Sequence, residues 1–300
     1  MKELNVNFPK QIAKFESLMK SQFLVRTLFY EKVFGGKGME FESFRKYTPN
    51  DDASLIDWKA TMKANSLLTK QYVEERALKI FFIVDVGENM VFGSGLKLKN
   101  EVAAEITACL SHLIVNLGDS MGFVLYNDGI VYRRMLLPGI KQFNILAVKL
   151  SDSKTYGGIS NLKKTLESIS PYLGDVSAVF IISDFIRIDK ETEEELRKFM
   201  RRYETIGIMV RDPIDTVLPD LNREIVIEDV YTGEQLLINP KLIAERYTQN
   251  ALEQKNKVKW IFKEAGSDLI ELYTDKDFVY SLSEFLKSRV KHGKYILPRR

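Results

Sequence analysis

Two aspartates stand where apolar runs stop. Asp85 closes "KIFFIVD" and Asp184 closes "SAVFIISD", so each strand pattern delivers a carboxylate to the rim of a core. As a pair, supplemented by hydroxyls, they would offer a hard cation such as Mg²⁺ the oxygen ligands it prefers, with positions left for water or a partner's carboxylate. Singly, each also fits an ordinary cap, because Asp accepts from backbone N–H groups at strand-to-helix junctions. Both roles stay open for the pair. Little other chemistry competes. Cys109 falls on the apolar stripe of a helix with His112 three residues on, which suits a small buried hydrophobe better than a nucleophile. One cysteine and two histidines exclude an internal disulfide and His-rich zinc sites. No Ser-His-Asp set emerges. "GGKG" at Gly35–Gly38 lacks the Walker spacing and follows a helical pattern, so it is expected to be a turn. Asp189 heads "DKETEEEL", an N-cap with acids that complement the helix dipole.

The elements that carry these residues can be read from periodicity. Apolar spacing predicts helix between residues 10 and 33, then short strands and loops through an aromatic-rich stretch up to Leu78. From Lys79 the pattern becomes strand (79–84), helix (97–117) and two strands, "MGFVLY" and "IVYRRMLL", joined by Asn127, Asp128 and Gly129, where Asp-Gly suits a type I′ turn. Helix (161–172), strand (177–184), helix (190–203) and strand (205–210) follow. A hairpin turning at Thr232–Gly233, a long helix (240–265), the strand "DLIELYT" and a last helix (275–291) complete the chain. The expectation is a doubly wound, Rossmann-like α/β domain over residues 79–300, mostly parallel with one antiparallel edge strand, after a helical and short-strand extension over 1–78. In the common strand order 3-2-1-4-5-6, the strands ending in Asp85 and Asp184 are neighbours at the reversal, where such sheets bind ligands.

The 300 residues are 45% hydrophobic, ample for a core, and 44 Lys plus Arg against 41 Asp plus Glu leave a net charge of only +3. That balance does not suggest a dedicated nucleic-acid binder. Basic residues do gather at the end, Lys287, Arg289, Lys291, Lys294, Arg299 and Arg300. They could attract nucleic acid or anionic lipid, though a solvated tail is the simpler expectation. Neither a signal peptide nor a membrane span is legible, so a cytoplasmic protein is expected.

"VDVGENM" resembles the first motif of the von Willebrand factor type A fold, Asp-x-Ser-x-Ser, part of a metal-ion-dependent adhesion site. Asp85 matches the aspartate, but Gly87 brings no hydroxyl and Asn89 only an amide oxygen. The family's threonine falls at Ser160 in "GGISNL", and its last aspartate at Asp184 in "IISDF". The resemblance implies a degenerate site of Asp85, Asn89, Ser160 and Asp184 that binds Mg²⁺ or Mn²⁺ weakly or not at all, since Mg²⁺ demands near-ideal octahedral geometry.

Upstream, "GKGMEFESFRKYTPNDDASLIDWKATMKANSLLTKQYVEER" is similar to the signature of a prokaryotic family, domain of unknown function fifty-eight, through Arg45, Tyr47, Asp51, Asp52, Asp57, Trp58, Glu75 and Arg76. Asn50 replaces the family's usual glycine, and Ser54 and Leu55 its arginine. Physically, Arg45, Asp57, Glu75 and Arg76 are candidates for ion pairs around Trp58 that pin the segment to the sheet. Alternatively, Arg45, Lys46, Asp51 and Asp52 form a docking surface. The family resemblance implies a non-enzymatic interaction module, an adaptor working with a MoxR-type AAA+ ATPase in complex assembly or maturation. The competing functions are a divalent-metal-dependent hydrolase acting through Asp85 and Asp184, and a nucleic-acid or anionic-surface binder acting through the basic tail.

Overall fold

The structure, a computed structural model, describes residues 4–19, 40–48, 51–73, 77–221, 223–228 and 235–292. The chain divides into two compact units, one formed by Met1–Phe29 with Leu78–Arg300 and the other by Tyr30–Ala77. Helix α1 (Phe8–Leu18) opens the larger unit, with Asn7 Oδ1 capping it at Lys10 N (3.1 Å) and Phe15 buried. The rest of the helix expected up to residue 33, and the glycines at 35–38, lie outside the described residues.

The smaller unit is a hairpin with a short helix. Strands β1 (Glu40–Lys46) and β2 (Leu68–Val73) pair antiparallel on either side of α2 (Trp58–Ala64), which stops at Asn65 with φ 51°, the left-handed conformation Asn tolerates at a helix end.

In the larger unit, β3 (Lys79–Asp85), β4 (Ser120–Tyr126), β5 (Ile130–Pro138), β6 (Ala178–Ser183) and β7 (Thr205–Arg211) share one sheet. The strands β8 (Ile225–Glu228) and β9 (Gln235–Ile238) form a separate antiparallel hairpin, whose expected turn at Thr232–Gly233 lies outside the described residues. Strand β10 (Asp268–Tyr273) completes the six-stranded sheet in the order β10-β7-β6-β3-β4-β5. Counted within the sheet, that is the order 3-2-1-4-5-6 from the β5 side. Every pair is parallel except β4 with the edge strand β5, whose register slips between Met121 and Phe123 and between Leu125 and Tyr126.

Helices cover both faces, as a sheet of apolar central strands requires. Those strands alternate sides, and Phe81, Ile83, Val124, Val179, Ile181 and Met209 share one core with α5 (Leu162–Leu173), α6 (Lys190–Arg202) and α7 (Pro240–Glu264). Against the opposite face lie α3 (Lys99–Asn116), α4 (Ile140–Ser151) and α8 (Phe278–Lys291), with α1 packed on α3 and α8. The N-terminal arm is also tied to α3 by hydrogen bonds: Asn5 N donates to Glu101 (2.6 Å) and Asn7 N to Glu105 (2.8 Å), both buried acids. Those bonds tie the described N-terminal arm to the α/β body, and the stretch 1–78 holds parts of two units.

Three local expectations change. Helix α4 was not anticipated, although Ile140, Phe143, Leu146 and Leu150 carry the i, i+3, i+4 spacing. The β4–β5 connection is not type I′, since neither Asp128 nor Gly129 has positive φ, and Asn127 N instead donates to Gly129 O (3.0 Å). Of the C-terminal cations, Lys287 pairs with Glu284, and Arg289 with Glu204 (2.8 Å) and Asp268. Lys294, Arg299 and Arg300 lie outside the described residues. Among the described residues, no helix is long and apolar enough to cross a membrane.

Gly207 on β7 lets α7 approach the sheet: a Cβ there would lie 2.5 Å from Leu269 Cδ1 and 2.6 Å from the buried Phe262 ring. Gly207→Ala is therefore expected to cost about 1–3 kcal/mol by overpacking and to lower the thermal midpoint by roughly 2–10 °C. Circular dichroism melting checks this; an unchanged midpoint would mean that the ring swings aside freely.

Candidate functional site at the carboxyl edge of the sheet

Because β3 and β6 are neighbours and parallel, the last residue of one and the residue just past the other reach the same edge. Asp85 is 1% exposed, yet both its oxygens are served. Oδ1 accepts from Gly87 N (2.9 Å) and from the Ser160 hydroxyl, and Oδ2 from Ser183 Oγ (2.8 Å) and Asn89 Nδ2 (3.3 Å). Burial, and then the charge of nearby Asp184, push its pKa up to about 6 against those hydrogen bonds. The hydroxyl of Ser160 also sits 2.7 Å from Asn89 Oδ1, and its single proton cannot serve two acceptors fully.

Asp184 is compensated differently. Its Oδ1 accepts from Ile186 N (3.1 Å), and its Oδ2 from the Lys99 ammonium at 2.8 Å. Burial pushes its pKa up, but the Lys99 charge and hydrogen bond outweigh burial and hold the carboxyl below the usual range. Lys99, only 2% exposed, also pairs with Asp215 at 3.3 Å. Burial alone would lower its pKa, yet the two carboxylates keep it above the ordinary lysine value. At Asp215, burial raises the pKa and Lys99 offsets it only in part.

Asp85, Asn89, Ser160 and Asp184 thus come together as the sequence pattern required, lining with Ser183 and Tyr126 a cavity of about 20 Å³, room for roughly one water. Lys99, Ser183 and Asp215 join them without having been anticipated. The backbone is strained here: Phe185 has φ 50°, sparsely populated for a non-glycine residue. Ser183 Oγ accepts from Phe185 N (3.1 Å), Gln254 donates to the carbonyls of Phe185 and Ile186, and the Phe185 ring meets Phe262 edge-on at 5.6 Å.

A divalent ion does not fit this arrangement. All four oxygens of Asp85 and Asp184 already hold donors. An ammonium about 4 Å from a divalent ion would oppose it by on the order of 8 kcal/mol at an effective dielectric of about 20. The place where a serine at position 87 would begin is also filled, since a Cβ there would lie 1.9 Å from Ser160 Oγ and 2.6 Å from Asn89 Oδ1. Among the described residues, no group of three or more His, Cys, Asp or Glu is placed to hold a metal.

The signature residues of the smaller unit do local structural work. Arg45 grips Asp51 with two hydrogen bonds (2.8 and 2.5 Å), and Asp51 also accepts from Thr48 N (2.8 Å) and Oγ1 (2.9 Å). The Arg45 guanidinium, followed by Thr48, holds the Asp51 carboxyl well below the usual carboxylate range. Asp52 accepts from Ser54 N (2.9 Å), Asp57 caps α2 at Ala60 N (2.9 Å), and Tyr47 N donates to Leu67 O (2.9 Å). Trp58 is 64% exposed and therefore not the enclosed centre of an ion-pair cluster, because α2 buries none of its residues and turns Trp58 and Met62 outward. Glu75 and Arg76 lie outside the described residues.

The chain matches the family described as "Protein of unknown function DUF58" over residues 43–257. It is 25% identical over 258 residues to the uncharacterised proteins Rv1480 of Mycobacterium tuberculosis and Mb1516 of Mycobacterium bovis, covering 85% of this chain and 80% of each relative. To the uncharacterised protein MAV169 of Mycobacterium avium it is 30% identical over 111 residues, 36% of this chain and 64% of that one. Among solved structures it is similar to the conserved hypothetical protein BatB from Bacteroides thetaiotaomicron, at 12% identity and a TM-score of 0.48, over 72% of this chain and 100% of that one. An aerotolerance-related membrane protein from Bacteroides fragilis is similar at 11% identity and a TM-score of 0.43, over 72% of this chain and 100% of that one.

The folded state holds the Asp85 proton more tightly than the unfolded chain does, with a pKa near 6 against an ordinary 3.8. Stability from this group is therefore fully present below about pH 4 and is lost as pH rises to about 6. Asp85→Asn, which keeps the shape without the charge, is expected to gain on the wild type by on the order of 2 kcal/mol across that window. Denaturant midpoints of both proteins at about pH 4.5 and about pH 7.5 check this; a pH-independent difference would mean that Asp85 is ionised throughout.

Proposed function

This chain belongs to the DUF58 family of proteins of unknown function, and from that premise we propose that it is a protein-interaction module with a von Willebrand factor A-like fold that docks a partner on the carboxyl edge of its sheet. The observation that carries the proposal is a set of exposed apolar side chains on the loops that also carry the sealed polar centre. Val91, Phe92 and Leu96 project from the loop after β3, Ile159 from the loop before α5, and Ile186 from the loop after β6; Leu96 is 95% exposed. Hydrogen bonds hold these loops together, Glu88 N to Gly158 O (2.8 Å) and Gly157 N to Val86 O (2.9 Å). Apolar groups carried by neighbouring loops, with the two carboxylates between them already holding donors, favour recognition of another protein.

The partner comes from the resemblance of the family signature, which points to a MoxR-type AAA+ ATPase and an adaptor role in complex assembly or maturation. The hydrolase alternative is less well supported: Asp184 is neutralised by Lys99 and the cavity between the carboxylates has about 20 Å³, far below the size of a substrate site. The ion pairs of Lys287 and Arg289 likewise weigh against a basic tail built to bind nucleic acid.

Calorimetric titration of the purified chain with a MoxR-type ATPase of the same organism tests the proposal. Leu96→Asp and Ile159→Asp are expected to weaken binding at least about tenfold, with thermal midpoints unchanged because both side chains are exposed. No binding by the wild type, or equal binding by both variants, would reject this face as the docking site.

A further inference from the structure

We infer that Lys99 is a built-in cation that stands in for a divalent metal at the carboxyl edge, so that this face keeps its arrangement independently of Mg²⁺ or Mn²⁺. The inference goes beyond the docking proposal and holds for whatever binds the face. Three observations converge on it. First, the Lys99 ammonium is nine-tenths and more buried and lies between carboxylates delivered by two different strands, Asp184 after β6 and Asp215 after β7. It therefore bridges strand ends, as a metal ion would, from the first residue of α3.

Second, the loop after β3 closes over it. Lys99 N donates to Phe92 O (2.8 Å), and the Phe92 ring stands 5.7 Å from the ammonium, so the charge is both fixed and shielded. Asp212, beside Asp215, anchors the same loop by accepting from Ser94 N (2.9 Å) and Ser94 Oγ (2.6 Å). Third, the oxygens a metal would use are committed elsewhere, Asp85 to Gly87, Asn89, Ser160 and Ser183, with the Ser160 hydroxyl seated where a side chain at position 87 would begin. A lysine cannot be chelated away or exchanged, so one state of the face is set by covalent structure.

The test combines Mn²⁺ titration, read by electron paramagnetic resonance, with thermal melting in chelator and in millimolar Mg²⁺, using the full chain. The wild type is expected to bind no Mn²⁺ at micromolar concentration and to melt at the same temperature in both solutions. Lys99→Met, which keeps the volume and removes the charge, is expected to melt lower in chelator and to recover part of the loss in Mg²⁺. If that variant does not fold, Lys99→Met/Asp184→Asn removes the charge and its main counter-charge together and is expected to fold. Micromolar Mn²⁺ binding by the wild type would overturn the inference. So would a Lys99→Met protein that melts like the wild type in both solutions, or a double variant as damaged as the single one.

Discussion

A carboxylate sealed from water at the end of a strand must be met by a proton or by a positive charge, and the carboxyl edge of this sheet is arranged around that requirement. Asp184 is met by the Lys99 ammonium, and Asp85 by four donors and a pKa raised to about 6. The two solutions depend on each other, since each ionised carboxylate makes the other costlier to ionise. The Lys99 ammonium reaches Asp215 as well, so the start of α3 and the ends of β6 and β7 are fixed by one group. Removing that group would leave buried charge without compensation, the situation in which single substitutions are most damaging.

The same requirement recurs on the far side of α3. Glu101 and Glu105 are buried there, and the backbone of the N-terminal arm supplies their donors through Asn5 N and Asn7 N, with Lys97 reaching Glu105. Helix α3 is thus a polar spine inside an apolar body: cationic toward the strand ends, anionic toward the arm. The strands around it could remain almost wholly apolar because their polar obligations are confined to their ends, which is also where the strained Phe185 sits.

Much of this was legible. The strands themselves followed from apolar runs of strand length separated by helical periodicity, because burial on two faces leaves little freedom in composition; the antiparallel edge strand followed from a short connection between two such runs, and the meeting of Asp85 with Asp184 from the strand order common to doubly wound sheets. The counter-ion was not legible, since Lys99 is one of two lysines, with Lys97, in the first turn of the expected helix, and lysines usually face water. A signal did exist: Lys99 falls three residues before Val102, in line with the apolar stripe of Val102, Ile106, Cys109 and Leu113, so a lysine in register with a buried face called for a buried partner. Trp58 erred in the opposite direction. An aromatic among charges reads as enclosed, but α2 is too short to bury a face of its own. In the smaller unit Asp51 turned inward to Arg45 and Thr48, a local loop closure that pattern alone cannot separate from a docking surface.

An open sheet ends in two strands whose outer amides have no partner within the fold, and such rims invite neighbouring copies to add strands without limit. Strand β5 meets that hazard by shape and charge together. Its two register slips against β4 bend and twist it away from a straight template. Its adjacent arginines are held on neighbouring side chains, Arg133 over the Tyr172 ring at 4.6 Å and Arg134 on Gln142 at 3.1 Å, and they add positive charge to this edge strand. The slips that bend β5 therefore also make it a poor template for an added strand.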